Sequence, residues 1–261
     1  MNRHVNAISG RLSLRPPQRQ SLEILHRITE IAPPGKDTDI AAVLEAIRSE
    51  YPSVTDFERE FPSLCFALAT GVGKTRLMGA FVSYLHLEHG INNFFVLAPN
   101  LTIYNKLIAD FTPNTPKYVF KGIAEFAVEP PLVITGDTYE SGVGIREEAR
   151  RQLPLPGTES HDGVHINIFN ISKINSEVRG GKSPRIKRLS EYIGESYFDY
   201  LAGLPDLVLL MDESHRYRAS AGVRALNELK PLLSLELTAT PFTESAKAPV
   251  SFRNVVMDYP L

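Results

Sequence analysis

Apolar residues recur along this chain with two periods, and the change from one to the other divides it. Leu22, Leu25, Ile28 and Ile31 fall three residues apart. That spacing predicts a helix entered through Pro16 and Pro17 and stopped at Pro33-Pro34-Gly35. Ile40, Val43, Leu44 and Ile47 predict a second helix over about residues 38–49, ended by Tyr51-Pro52. Residues 1–15 are polar and are expected to be poorly ordered. From Phe61 onward, short apolar runs alternate with helical stretches. Strands are predicted at 64–69, 93–98, 132–135, 165–170, 206–211 and 234–237, with 118–120 a weaker candidate. Helices are predicted near 74–88, 101–111 and 223–229. Several of the strands are continuously apolar, as in parallel sheets covered on both faces, so the fold class expected is α/β with helices on both sides of a mostly parallel sheet. Residues 136–163, rich in glycine and proline, read as a long loop or insertion, and residues 179–188 as a basic stretch.

Composition changes this picture little. At 261 residues the chain is long enough for a core that needs no staples, and its one cysteine, Cys65, rules out an intrachain disulfide. Cys65 lies in an apolar run and reads as a buried small residue. The net charge of −2 is not that of a dedicated nucleic-acid-binding domain, so contact with nucleic acid would come from a local patch. No apolar run reaches the ~18 residues of a membrane span, and the N-terminus lacks a signal-peptide core. The expectation is a soluble cytoplasmic protein with no membrane association. The seven histidines show no metal-ligand spacing, so no zinc site is expected.

The chemistry starts after the first predicted strand, at Ala69-Thr70-Gly71-Val72-Gly73-Lys74-Thr75. Strand, glycine turn, Lys-Thr and amphipathic helix in that order mark a phosphate-binding loop. Gly71 and Gly73 let the backbone N–H groups curl toward phosphates, and the helix adds its positive end. Lys74 is expected to reach the β- and γ-phosphates of ATP, and Thr75 to hold Mg²⁺. Arg76 is counted with the loop as an ATP-binding residue. The alternative is a glycine turn capping an ordinary helix. Much later, the apolar run Leu207-Val208-Leu209-Leu210-Met211 ends in Asp212-Glu213-Ser214-His215. Carboxylates at the carboxyl end of a strand stand where α/β sheets gather ligands. Asp212 is expected to share the Mg²⁺ with Thr75, Glu213 to orient and deprotonate the attacking water, and His215 to sense the γ-phosphate. An aspartate alone suffices for a nucleotide-binding kinase, so the pair favours hydrolysis. The alternative is a solvated acidic turn.

With both motifs in place the chain resembles the first RecA-like motor domain of a superfamily 2 helicase or translocase. Its phosphate loop reads Thr-Gly-x-Gly-Lys-Thr, as helicase-type loops often do, and Asp212-Glu213-Ser214-His215 resembles the DExH form of motif II. Leu237-Thr238-Ala239-Thr240-Pro241 resembles motif III, in which Thr238 and Thr240 would couple hydrolysis to movement. Arg15-Pro16-Pro17-Gln18 resembles the adenine-reading element, with a plain helix cap as the rival reading. Val96-Leu97-Ala98-Pro99-Asn100-Leu101-Thr102, Ile168-Phe169-Asn170-Ile171-Ser172-Lys173 and Asp-Glu-Ser-His-Arg look most like the Res subunits of type III restriction enzymes, and the DEAD-box signatures are not present.

The resemblance implies a three-layer RecA-like phosphate-loop NTPase fold. An N-terminal helical segment would occupy 1–60 and ATPase domain 1 would occupy 61–261, with the second motor domain lying outside this chain. It implies a nucleic-acid-dependent ATPase that by itself binds ATP and turns over slowly. Duplex DNA would be gripped by its backbone through Asn100, Thr102, Asn170 and Lys173. A modification subunit would be the partner. Two other functions stay open: a DExH-type RNA helicase motor and a non-catalytic nucleotide-binding assembly module. The basic residues Arg179, Lys182, Arg185, Lys187 and Arg188 read as a solvated loop, with phosphate contact as the alternative.

Overall fold

The predicted strands lie where the apolar runs place them, and they pair into one parallel sheet. The computed structural model describes residues 2–141, 163–172, 185–188, 195–218, 220–243 and 250–260. Within them, α1 (Arg3–Arg11), α2 (Pro16–Ile31) and α3 (Ile40–Glu50) precede β1 (Ser63–Leu68), α4 (Lys74–His89), β2 (Asn93–Ala98) and α5 (Leu101–Phe111). There follow α6 (Ala124–Val128), β3 (Leu132–Thr135), β4 (His165–Asn170), α7 (Tyr197–Gly203), β5 (Leu207–Asp212), α8 (Ser220–Glu228) and β6 (Leu233–Thr238). A two-stranded ribbon of β7 (Phe242–Thr243) and β8 (Val250–Ser251) leads to β9 (Val255–Tyr259). The main sheet has the order β3-β4-β2-β5-β6-β1-β9, and its strands all pair in parallel. β6 therefore lies between β1 and β5, and the carboxyl ends of the three are neighbours.

Side chains alternate across each strand, so the sheet feeds two cores. Phe94, Val96 and Ala98 of β2 and Val208 and Leu210 of β5 face a cluster completed by α1, α2, α4 and α5. Phe95 and Leu97, with Leu207, Leu209 and Met211, face a second cluster built with Tyr197, Phe198, Leu201, Leu226 and Leu229. This is the three-layer α/β arrangement. β1 and β6 differ: toward the second side they present Ser63, Cys65, Ser234, Glu236 and Thr238, all buried. Cys65 is free and fully buried.

Three expectations need correction. Against the expectation of a loose segment over 1–15, Arg3–Arg11 form α1, because Asn2 caps it through Oδ1, accepting from the His4 and Val5 N–H groups, and Val5, Ile8 and Leu12 insert into the first core. Residues 118–120 form turns, with Val119 N–H donating to Asp110 O and Phe120 packed on Phe111 and Phe126. β9, which the apolar pattern did not flag, pairs with β1 at the sheet edge. Of the stretch at 136–163, only 136–141 and 163 are described, and Arg179, Lys182 and Lys173 lie outside the described residues. Arg185 and Lys187 sit in a short 3₁₀ turn, where Lys187 pairs with Glu228 and lies over the Phe198 ring. Among the described residues no helix is long and apolar enough to cross a membrane.

Candidate active site

The loop after β1 is built around two glycines in the left-handed region, Gly71 at φ +84° and Gly73 at φ +94°. Gly73 cannot be replaced freely: a Cβ there would lie 2.6 Å from Gln18 Nε2. The reason is a prop beneath the loop. Gln18 Nε2 donates to Gly73 O at 2.9 Å, and an Arg15 guanidinium nitrogen donates to Gly71 O at 3.0 Å. Gln18 Oε1 also accepts from Arg15 N–H at 2.8 Å, so the helix-cap geometry is present, with Gln18 2% exposed. Thr70 and Gly71 face solvent, Val72 is half-buried and Thr75 is buried. Arg76 donates to Leu12 O at 3.3 Å, tying α4 to the end of α1.

Across the gap, β5 delivers Asp212 and Glu213. Glu213 is a non-glycine residue at φ 51°, ψ 55°, a conformation of the kind that clusters at functional sites. The turn aims its side chain at the loop, where Glu213 Oε1 stands 3.0 Å from Lys74 Nζ. Asp212, 7% exposed, accepts from the Glu213 N–H at 3.1 Å. Burial pushes its carboxyl up to about 6; Glu213 adds to the push, while Lys74 and Lys106 oppose it.

The end of β6 completes the group. His215 Nδ1 shares 3.0 Å hydrogen bonds with Thr238 Oγ1 and Thr240 Oγ1, and lies 3.6 Å from Glu213 Oε2. Thr240 N–H donates to Thr238 Oγ1 at 3.1 Å. Lys74, Asp212, Glu213, His215, Thr238 and Thr240, drawn from three strand ends, thus form one connected set. The spacing of the motifs did not mark Lys106. This residue of α5 donates to Thr75 Oγ1 at 2.8 Å, and only the packing of α4 beside α5 reveals it.

Asn100 and Asn170 stand apart from this set, beyond the neighbouring strands β2 and β4. Asn100 caps α5 by accepting from the Ile103 N–H at 2.9 Å, and Thr102, two residues on, is exposed. Asn170, buried and paired in register with Ala98, accepts from the Ser172 N–H at 2.9 Å. These residues share the carboxyl edge of the sheet with the connected set around Glu213 but do not belong to it.

The family model described as type III restriction enzyme, res subunit, matches residues 11–243. Among curated proteins, the probable type III restriction-modification enzyme HindVIP Res subunit of Haemophilus influenzae is 24% identical over 186 residues, which are 69% of this chain and 30% of that protein. Among solved structures, a nuclease-deletion mutant of the type ISP restriction-modification enzyme LlaGI, in complex with a DNA substrate mimic, gives a TM-score of 0.50 at 16% identity. It covers 92% of this chain and 16% of that one, and shows a shared fold. The SWI2/SNF2 ATPase core of Sulfolobus solfataricus, in complex with dsDNA, gives 0.43 at 14% identity, covering 87% of this chain and 32% of that one. The chain spans less than a third of the length of each of these proteins.

Proposed function

The chain belongs to the family of type III restriction enzyme res subunits, and from that premise we propose that it is the part of a DNA-translocating motor that binds ATP with Mg²⁺ and hydrolyses it. The observation that carries this reading is the meeting of Lys74 and Glu213 at 3.0 Å, which joins the phosphate loop to the acidic strand end. The donor set suits a hard divalent cation: a hydroxyl at Thr75 and a carboxylate at Asp212, both oxygen ligands. Asp212 is desolvated, and a cation beside it relieves the cost of its charge. Mg²⁺, when bound, neutralises phosphate charge and holds the nucleotide in register.

The residues of the chain supply the rest. The N–H groups of the loop, through Thr70, Gly71, Val72 and Gly73, cradle the phosphates. Arg15 and Gln18 hold the loop in shape through Gly71 O and Gly73 O, Gln18 would contact the base, and Arg76 belongs with the loop as an ATP-binding residue. Lys74 leaves Glu213 for the β- and γ-phosphates, which frees the Glu213 carboxylate to orient the attacking water and accept its proton. His215 passes the loss of the γ-phosphate to Thr238 and Thr240. Asn100, Thr102, Asn170 and Lys173 would meet the nucleic-acid backbone along the same edge. DNA is favoured over RNA because the curated relative is a restriction-modification enzyme, and a modification subunit in a cytoplasmic complex belongs to the same reading.

The test uses two variants, Lys74→Ala and Glu213→Gln, with nucleotide binding and DNA-stimulated hydrolysis as readouts. Lys74→Ala is expected to lose nucleotide binding. Glu213→Gln should keep binding and lose turnover by about 10²–10⁴-fold, the range for a removed general base. Normal hydrolysis by Glu213→Gln would sink the assignment. Stimulation by RNA in preference to DNA would favour an RNA helicase motor instead.

A further inference from the structure

Lys106 lies on α5 one turn after Thr102 and one turn before Asp110, so all three share a helical face. Its Nζ donates to Thr75 Oγ1 at 2.8 Å and stands 3.6 Å from Asp110 Oδ2. With Gly73, Thr75 and Arg76 it lines a cleft of about 680 Å³ that opens beside the phosphate loop. Its charge also reaches Asp212, where it acts with Lys74 against the effect of burial. The lysine therefore touches one of the two oxygen donors of the expected metal site and influences the other.

That position has a consequence for the metal. A Thr75 hydroxyl that accepts from an ammonium has turned its lone pair toward that ammonium, whereas a divalent cation bound by Thr75 and Asp212 needs a lone pair of the same oxygen at about 2.1 Å. Two cations on one oxygen repel each other. Asp110, half a side chain away, gives the displaced ammonium a second anchor. We propose that Lys106 is an exchangeable cation of the nucleotide site: it competes with the divalent cation for Thr75 Oγ1 and swings to Asp110 when that cation enters. This rests on the ATPase reading above.

The experiment is a titration of the chain with a fluorescent ATP analogue, in EDTA and over a series of Mg²⁺ concentrations. It compares wild type, Lys106→Met, Lys106→Arg and Lys74→Ala, with thermal melts to check folding. Lys106→Met is expected to bind the metal-free nucleotide about fivefold more weakly, the worth of one partly exposed charge contact. The same variant should reach half-saturation at a Mg²⁺ concentration several-fold lower than wild type. Lys106→Arg should restore the metal-free affinity. A Mg²⁺ requirement that is unchanged or raised in Lys106→Met would overturn the proposal, as would equal weakening with and without metal. Failure of the wild type to bind nucleotide in either condition would overturn the ATPase reading and this inference together, and that outcome is distinct from the others.

Discussion

Asp212 and Glu236 sit on adjacent strands, both buried, and their carboxyls shift in opposite directions. At Asp212 burial is reinforced by Glu213 and only partly countered by Lys74 and Lys106, so the value rises to about 6. At Glu236, which is fully buried, burial pushes the same way but is outweighed by Arg218 and Arg59 and by the hydroxyls of Ser63 and Ser214, so the value falls below its ordinary one. The difference lies in the donors. Glu236 is held by Arg218 at 2.6 Å and by Ser63 at 2.6 Å, with Asn254 at 3.2 Å. Arg218 is itself fixed by Glu58 and by the Phe252 ring 3.7 Å away. The planar Arg218 fork reaches Glu236 and Glu58 together, and the short Ser63 and Asn254 side chains bond each other as well as Glu236, so the donors hold one another in place. Asp212 has lysines on long stems, each with another partner within reach, Glu213 for Lys74 and Asp110 for Lys106. One carboxylate is held by fixed donors and locks β6 to the turn after β5, although Arg59 and Arg218 Nε beside it find no hydrogen-bond partner among the described residues; the other is left short of positive charge, as the proposed site for a cation and phosphates requires.

Breaking the locked cluster should have the largest effect. Arg218→Ala leaves Glu236 charged in the interior without its close guanidinium partner, with Arg59 still a cation at 3.8 Å, a loss of about 3–5 kcal/mol. Denaturant melts should show it, and a cost under about 1 kcal/mol would mean that the pair is not what holds Glu236. At the open cluster the sign reverses. The Asp212 value is raised from 3.8 to about 6, so at pH 7 the fold bears the cost of its charge. Asp212→Asn removes that cost and should stabilise the nucleotide-free chain by up to about 3 kcal/mol, at about 1.4 kcal/mol per unit, while Mg²⁺-dependent nucleotide binding is lost. Destabilisation by Asp212→Asn at pH 7 would show that Asp212 is structural.

The two carboxyls also predict opposite pH slopes. The lowered value at Glu236 gives stability that is present above its ordinary 4.5 and lost as pH falls through the folded value. The raised value at Asp212 gives stability that is present below 3.8 and lost as pH rises through about 6. In melts from acid to neutral pH, the deficit of Glu236→Gln relative to wild type should shrink toward the acid end. The advantage of Asp212→Asn should grow toward neutrality. Parallel curves for all three proteins would contradict both assignments.

The open cluster was largely legible in the sequence because its residues lie in unbroken motifs: a strand running into Gly-x-Gly-Lys-Thr, and another into Asp-Glu-Ser-His. The apolar runs located six strands for the same reason, since continuous burial leaves a local trace. Lys106 left none, because its role depends on α5 lying beside α4, which no spacing within α5 encodes. The locked cluster does leave a trace: Leu233-Ser234-Leu235-Glu236-Leu237 alternates strictly, which gives β6 a polar face within the interior. α1 was missed because Val5, Ile8 and Leu12 are few among polar residues, and their burial is decided by the surface of α4 that they cover. β9 was missed because its apolar stretch is short and lies at the edge.

Between the locked and the open clusters stands His215, held by two threonines, and here the smallest effect is the most informative. Thr240→Val removes one 3.0 Å bond to Nδ1 and leaves the bond from Thr238 in place. Stability should therefore change by about 1 kcal/mol or less, the usual net worth of one hydrogen bond. Thr238→Val should cost more, because Thr238 Oγ1 also accepts from the Thr240 N–H and so shapes the turn. If His215 carries information from Glu213 to the end of β6, Thr240→Val should lower the ratio of DNA-stimulated to basal hydrolysis with little change in nucleotide affinity. An unchanged ratio would assign the His215–Thr240 bond to the locked part of the molecule and leave Thr238 alone to make the link.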